Sequence, residues 1–282
     1  MLEMQIFKEI EPLKAHLQQK KKEGFSVGLV PTMGALHEGH LALVRASKSS
    51  TGVTVCSLFV NPTQFNNPAD LEKYPRTIEK DIALLESVGC DVLFAPETPT
   101  MYDRPSVIKF DFGQLDKILE GKFRPGHFSG VATVVSKLFN IVQPDEAFFG
   151  QKDYQQLQII AKLVDELMFD LKLTSIPIIR EPSGLAMSSR NLRLSEEQKS
   201  KAVILHDSLV AARNALLAGK QWHTIREEVI NRINEVAGLR IEYFELAHRD
   251  DLTMTTDVDT RNGVILVACF VGPVRLIDNM FV

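Results

Sequence analysis

No stretch of this sequence reaches the roughly 18 consecutive apolar residues that a membrane-spanning helix requires, so no such helix and no membrane partner is expected. Met1-Leu2-Glu3-Met4-Gln5 offers neither the basic nor the apolar region of a secretory signal. Cysteine is scarce. Cys56, Cys90 and Cys269 are the only three, each in or beside an apolar run, and they read as small buried hydrophobes. An odd number without close pairing fits a reducing compartment, and the cytoplasm is the expected location. Charge of one sign is lacking too. A net charge of −4 argues against sequence-independent nucleic-acid binding, and the longest basic run, Lys20-Lys21-Lys22, suits the solvated end of a first helix. There is no Walker loop, no GxGxxG and no convincing Ser-His-Asp pattern, so nothing calls for a covalent nucleophile.

What is present is ordinary globular material: 282 residues, 45% hydrophobic and 24% charged, enough for one or two domains. Residues 24–30, 53–60, 91–95, 147–150 and 175–179 read as strands, and 41–50, 77–88, 130–142 and 154–168 as helices. Alternation of this kind predicts an α/β, Rossmann-like parallel sheet with helices on both faces. Near residue 180 the pattern changes. Ser195-Glu196-Glu197-Gln198 is a helix start, leading into a long helix to Ala218; a second runs over 224–237. Strands follow at 241–246, 264–270 and 274–277. The expected organisation is a first domain over 1–179 and a smaller C-terminal α+β domain over 180–282.

The richest stretch is Pro31-Thr32-Met33-Gly34-Ala35-Leu36-His37-Glu38-Gly39-His40, between a strand and an amphipathic helix. Backbone N–H groups and the positive helix end would make an anion site there, with two histidines three apart adding side-chain donors. The plain alternative is a capped surface turn; zinc is disfavoured because no third ligand stands nearby. Other polar loops follow other strands. Asn61-Pro62-Thr63-Gln64-Phe65 and, further on, Gln156 offer uncharged two-faced amides. Gly150-Gln151-Lys152-Asp153 brings a point charge to a helix start, and Asp153 either accepts from a ribose hydroxyl or caps its helix. Met187-Ser188-Ser189-Arg190-Asn191 suits a departing pyrophosphate, or simply caps a turn before Leu192. Four such loops on one sheet edge imply one cleft built for phosphate chemistry. The polar stretch from Gly121 to Gly130 reads as a mobile lid or a dimer contact, and residues 66–75 are a second lid candidate.

On these blocks the chain resembles the pantoate–β-alanine ligase family. The resemblance rests on Pro31 to His40, Phe59 to Phe65, Arg124-Pro125-Gly126-His127-Phe128, Phe149 to Gln156, and Gly184 to Asn191. His37-Glu38-Gly39-His40 and Met187-Ser188-Ser189-Arg190 also resemble the two signatures of the wider nucleotidyltransferase superfamily, with Arg190 where many members carry lysine. The resemblance implies ATP-dependent condensation of pantoate with β-alanine through a pantoyl-adenylate, with AMP and pyrophosphate released. It implies ATP contacts at Met33, Gly34, Ala35, Leu36, His37, Glu38, Gly39, His40, Gly150, Gln151, Lys152, Asp153, Ile179, Met187, Ser188, Ser189 and Arg190. It further implies Gln64 and Gln156 as substrate-binding, His40 as the proton donor with His37 and Lys152 beside it in catalysis, magnesium with the ATP, and a homodimer. The metal-contacting residues are not legible. Two rival readings remain: a nucleotidyltransferase joining a phosphorylated substrate to the nucleotide, and a non-catalytic nucleotide sensor.

Overall fold

The computed structural model describes residues 3–257 and 262–282. The chain divides into two compact units, one of residues 1–151 with 156–177, the other of residues 152–155 with 178–282. In chain order the first unit contains β1 (Gln5–Phe7), α1 (Ile10–Lys22), β2 (Val27–Thr32), α2 (Glu38–Ser50), β3 (Val53–Leu58), α3 (Pro68–Glu72), α4 (Ile78–Ser87), β4 (Val92–Phe94), α5 (Thr98–Met101), α6 (Leu119–Phe123), α7 (His127–Val142), β5 (Glu146–Gly150), most of α8 (Tyr154–Glu166) and β6 (Lys172–Ile176).

Its six strands are all parallel, in the order β1-β4-β3-β2-β5-β6. Val27, Gly28, Leu29 and Val30 of β2 are buried in succession, which requires cover on both faces of the sheet. Strand order reverses at β2, with β3 on one side and β5 on the other. Loops beyond the carboxyl ends of β2 and β5 therefore face each other at the topological switch point, where open α/β sheets bind ligands.

The last parallel strand differs from the sequence expectation. It runs over Lys172–Ile176 and stops before Pro177, which has no N–H for the ladder. It is a sheet edge and largely solvent-facing, so it never carried the buried apolar pattern by which the other strands announce themselves.

The second unit holds α9 (Glu196–Ala202), α10 (Ile204–Leu217), α11 (Trp222–Asn234) and an antiparallel sheet β7-β8-β9 (Leu239–His248, Gly263–Val271, Val274–Phe281). The expected start at Ser195 is a capping box: Ser195 Oγ accepts from Gln198 N at 3.2 Å, and Gln198 Oε1 accepts from Ser195 N at 3.0 Å. The long helix expected from there is two helices. Val203 keeps helical dihedrals (φ −58°, ψ −28°), so the hydrogen-bond ladder is interrupted but the direction is kept. Trp222 stacks on Phe244, with ring centroids 5.5 Å apart, inside an apolar core that includes Leu205, Leu209, Ile225, Val267 and Cys269.

Candidate active site

The turn after β2 is held from behind. Gly34 and Ala35 both lie in the left-handed region, at φ +82° and +50°, and a Cβ at residue 34 would meet Leu58 Cδ2 at 2.7 Å. Thr32 Oγ1 accepts from Gly34 N at 3.3 Å. The fully buried carboxylate of Asp81, in the first turns of α4, accepts from Ala35 N at 3.0 Å and from Leu36 N at 2.7 Å. Thr77 Oγ1 donates to both of its oxygens at 3.2 Å. No local spacing in the sequence links Asp81 to a turn 45 residues away.

His37 caps α2. Its Nδ1 accepts from Gly39 N at 3.2 Å, and His40 Nδ1 accepts from His37 N at 3.4 Å, the rings lying 4.1 Å apart. An Nδ1 that accepts carries no proton, so both imidazoles are neutral and hold their proton on Nε2. The tautomer also resolves a conflict: the positive helix end disfavours an imidazolium but not a neutral donor.

This arrangement corrects the expectation that the backbone amides of this turn point at a ligand. Those of Gly34, Ala35, Leu36, His37, Gly39 and His40 all donate within the protein. At these six positions the donors left for a ligand are side chains. Glu38 is exposed and turned to Arg45, whose guanidinium donates to it at 2.7 and 3.2 Å and holds its carboxyl below the usual range.

After β3, a short 3-10 turn over Pro62–Gln64 presents Gln64, which is buried. Its Oε1 accepts from Asn61 Nδ2 at 3.0 Å, and its Nε2 lies 3.0 Å from Met33 Sδ, so this amide reaches the β2 turn. The stretch from Gly121 to Gly130 supports this turn. It forms the end of α6 and the start of α7, joined by Gly126 at φ +80°. Buried His127 donates from Nδ1 to the Gln64 carbonyl at 2.8 Å, and its Nε2 lies 3.0 Å from Arg124 Nη1, which donates to it. Gly130 lets α7 approach closely: a Cβ there would stand 2.4 Å from the Thr63 carbonyl oxygen. Tyr102, not singled out from sequence, donates to Asn61 Oδ1 at 2.8 Å, and Lys137 Nζ sits 4.3 Å from its ring centroid.

Gly150 ends β5, and Gln151 donates to Ser175 Oγ at 3.1 Å, turned toward its own sheet. Gln156 lies half-buried in the first turn of α8.

In the second unit, Lys152 and Asp153 sit in a 3-10 turn over Gln151–Asp153, with Lys152 Nζ 3.7 Å from Asp153 Oδ2. The Lys152 side chain is only 17% exposed, and its carbonyl accepts from Asn279 Nδ2 at 2.9 Å. The 179–191 loop is tied at several points. Met187 N donates to the Ile179 carbonyl at 3.0 Å, and Asn191 Nδ2 donates to Glu181 Oε1 at 2.9 Å and to the Ala186 carbonyl at 3.1 Å. Arg180 donates to buried Asp278 through both terminal nitrogens, at 2.6 and 3.0 Å. Ser188 Oγ accepts from Arg190 N at 3.2 Å, capping the turn Ser189–Arg193, and retains its own O–H to donate elsewhere. His206 is pushed down by burial, then by the Arg180 charge. Burial raises the thiol of Cys90 to about 12 and that of Cys269 to about 11, which suits inert packing.

Among the described residues no three His, Cys, Asp or Glu side chains cluster to hold a metal ion, and no helix is long and apolar enough to cross a membrane.

A model of the pantoate–β-alanine ligase family matches residues 5–281. A pantothenate synthetase of Cytophaga hutchinsonii is 45% identical over 275 residues, 97% of each chain, and one of Bacteroides fragilis is 46% identical over 98% of each. The crystal structure of pantothenate synthetase from Thermus thermophilus superposes with a TM-score of 0.92 at 39% identity, covering 99% of both chains. A pantoate–β-alanine ligase from Francisella tularensis, solved with β-γ ATP and β-alanine, superposes at 0.84 with 36% identity, covering 99% of this chain and 97% of that one. Matches this long and this similar decide among the readings left open by sequence: the chain belongs to the pantoate–β-alanine ligase family and is an ATP-dependent ligase.

Proposed function

We propose that this ligase joins pantoate to β-alanine in two steps that its own side chains position. The pantoate carboxylate attacks the α-phosphorus of ATP, and pyrophosphate leaves. The β-alanine amine then attacks the acyl carbonyl of the adenylate, and AMP leaves. Phosphoryl transfer of this kind needs alignment and charge stabilisation rather than a covalent enzyme intermediate. The observation that carries the reading is the His37–His40 pair at the switch point of the sheet, each ring accepting a backbone N–H at Nδ1, which leaves Nε2 as the donor.

In this reading His40 donates from Nε2 to a phosphate oxygen, and His37 supports it. Lys152, Ser188, Ser189 and Arg190 serve the same nucleotide, Lys152 as a point charge and Arg190 as a fork for the departing pyrophosphate. Gln64 binds pantoate and β-alanine, and Gln156 binds pantoate. An amide suits this work because it orients a carboxylate without neutralising it. Magnesium would be held by the ATP phosphates and water and would neutralise part of the triphosphate charge.

The test is AMP release from ATP, Mg²⁺, pantoate and β-alanine, each omitted in turn. AMP is expected only with both organic substrates, and ATP–pyrophosphate exchange with pantoate alone. Turnover without β-alanine, or with a phosphorylated acid in place of pantoate, would overturn the assignment.

The enzyme is further proposed to be cytoplasmic and a homodimer. Val107 and Ile108, 91% and 69% exposed on neighbouring positions, offer apolar surface for the second copy. The double variant Val107→Asp/Ile108→Asp is expected to sediment as a monomer at micromolar concentration where wild type sediments as a dimer. An unchanged dimer would move the interface elsewhere.

A further inference from the structure

Asp81 is a buried carboxylate with no cation paired to it among the described residues. Its hydrogen-bond partners are the amides of Ala35 and Leu36 and the hydroxyl of Thr77, and it is fully buried at the start of α4. Stranding a charge in a core costs several kcal/mol unless fixed donors replace its water. Here they do: two backbone N–H groups and a hydroxyl aim at its two oxygens. The amides it consumes belong to the turn that ends in His37, the N-cap of α2. They are also the amides a glycine turn before a helix would otherwise offer to an anion.

The turn is strained without this anchor. Ala35 is in the left-handed region at φ +50°, where a side chain costs energy, and Gly34 precedes it at φ +82°. Successive N–H groups of a turn form an anion-cradling nest when they converge. In this chain an anion already occupies that nest, and it is covalently part of the protein. Leu36, next in the turn, packs in the core with Leu43, Leu85 and Phe148. Asp81 and this packing hold the turn from two sides.

We propose that Asp81 is a positioning residue for the adenylation step: an internal anion that locks the 34–36 turn and so sets the direction in which His37 and His40 present their Nε2 protons. It touches no substrate. The proposal rests on the reading that this turn serves ATP, and it adds a prediction that reading does not make.

Asp81→Asn is nearly isosteric but replaces one accepting oxygen with a donating NH₂, which then faces a backbone N–H. ATP–pyrophosphate exchange is expected to slow by about 10- to 100-fold, within the range for loss of one transition-state donor or less. KM for ATP should rise by about tenfold, KM for pantoate should stay within threefold, and the unfolding transition should remain cooperative. Thr77→Val, which deletes only the hydroxyl, should move exchange in the same direction by about threefold. It serves as the readout if Asp81→Asn does not fold.

Asp81→Asn exchanging within threefold of wild type would overturn the proposal. So would equal rises in both KM values in step with a lost thermal midpoint, the signature of general structural damage. If wild type itself gives no pantoate-dependent exchange, it is the ATP reading that fails.

Discussion

Replacing Lys152 by alanine is expected to slow adenylate formation by about 10²- to 10³-fold, equivalent to roughly 3–4 kcal/mol of transition-state stabilisation. Three observations make this effect large. The ammonium side chain is only 17% exposed, so its field is weakly screened. Its acidic neighbour Asp153 stands 3.7 Å away, too far for a tight hydrogen bond to hold the charge. And the backbone at Lys152 is fixed by Asn279 Nδ2 on its carbonyl at 2.9 Å, so the charge is pre-placed rather than recruited. His40→Ala should fall in the same range, because it removes a neutral donor whose tautomer the fold has already selected. Single-turnover formation of pantoyl-adenylate is the measurement. For Lys152→Ala, attack of β-alanine on preformed adenylate should change much less, since pyrophosphate has by then departed. An adenylation rate within threefold of wild type in either variant would remove that residue from the chemistry.

The second large effect is on stability. Asp278→Ala should destabilise the enzyme by about 3–5 kcal/mol, the usual result of stripping one partner from a buried ion pair. Asp278 is 4% exposed, and Arg180 reaches it through two nitrogens while also donating to the Gly184 carbonyl at 3.1 Å. Without the carboxylate, the guanidinium keeps only carbonyl acceptors in a poorly solvated place. The thermal midpoint should drop by roughly 6–15 °C for a chain of this size, read by circular dichroism. Because Asp278 Oδ1 also accepts from Asn279 N at 2.8 Å, Asn279 and hence Lys152 should loosen too, and KM for ATP should rise. The paired change Arg180→Met/Asp278→Leu should regain most of the stability, as apolar replacement of both partners often does. A midpoint shift of under 2 °C for Asp278→Ala would show the pair to be dispensable.

Much of this molecule was legible before folding because its signals are local. Apolar, β-branched runs ended by Gly or Pro marked the central strands. Ser195 to Gln198 announced a capped helix that the structure forms. The histidine turn, Gln64 and Gly150 to Asp153 stood out because polar, chemically capable residues sat where strands stop, and Met187 to Asn191 because paired serines stand beside an arginine. The edge strand over Lys172–Ile176 was misplaced for the complementary reason. A strand that faces water carries no apolar run, and its end is set by Pro177 and its partner β5.

What the residues by themselves determined is the inventory of chemistry: two histidines three apart at a helix start, a lysine after a glycine, paired serines with an arginine, and neutral amides. What only the tertiary structure decided is how each is aimed. Asp81 and Asn279 act across 45 and 127 residues of chain, and no window of sequence registers such a pairing. Asp81 takes two of the amides the turn had been expected to offer, mutual capping makes both Nδ1 atoms acceptors and leaves Nε2 to donate, and His127 braces Gln64 from behind. Residue type is written in the chain, but donor direction and protonation are set by whichever distant group satisfies the other side of each polar atom, and that is decided only when the chain packs.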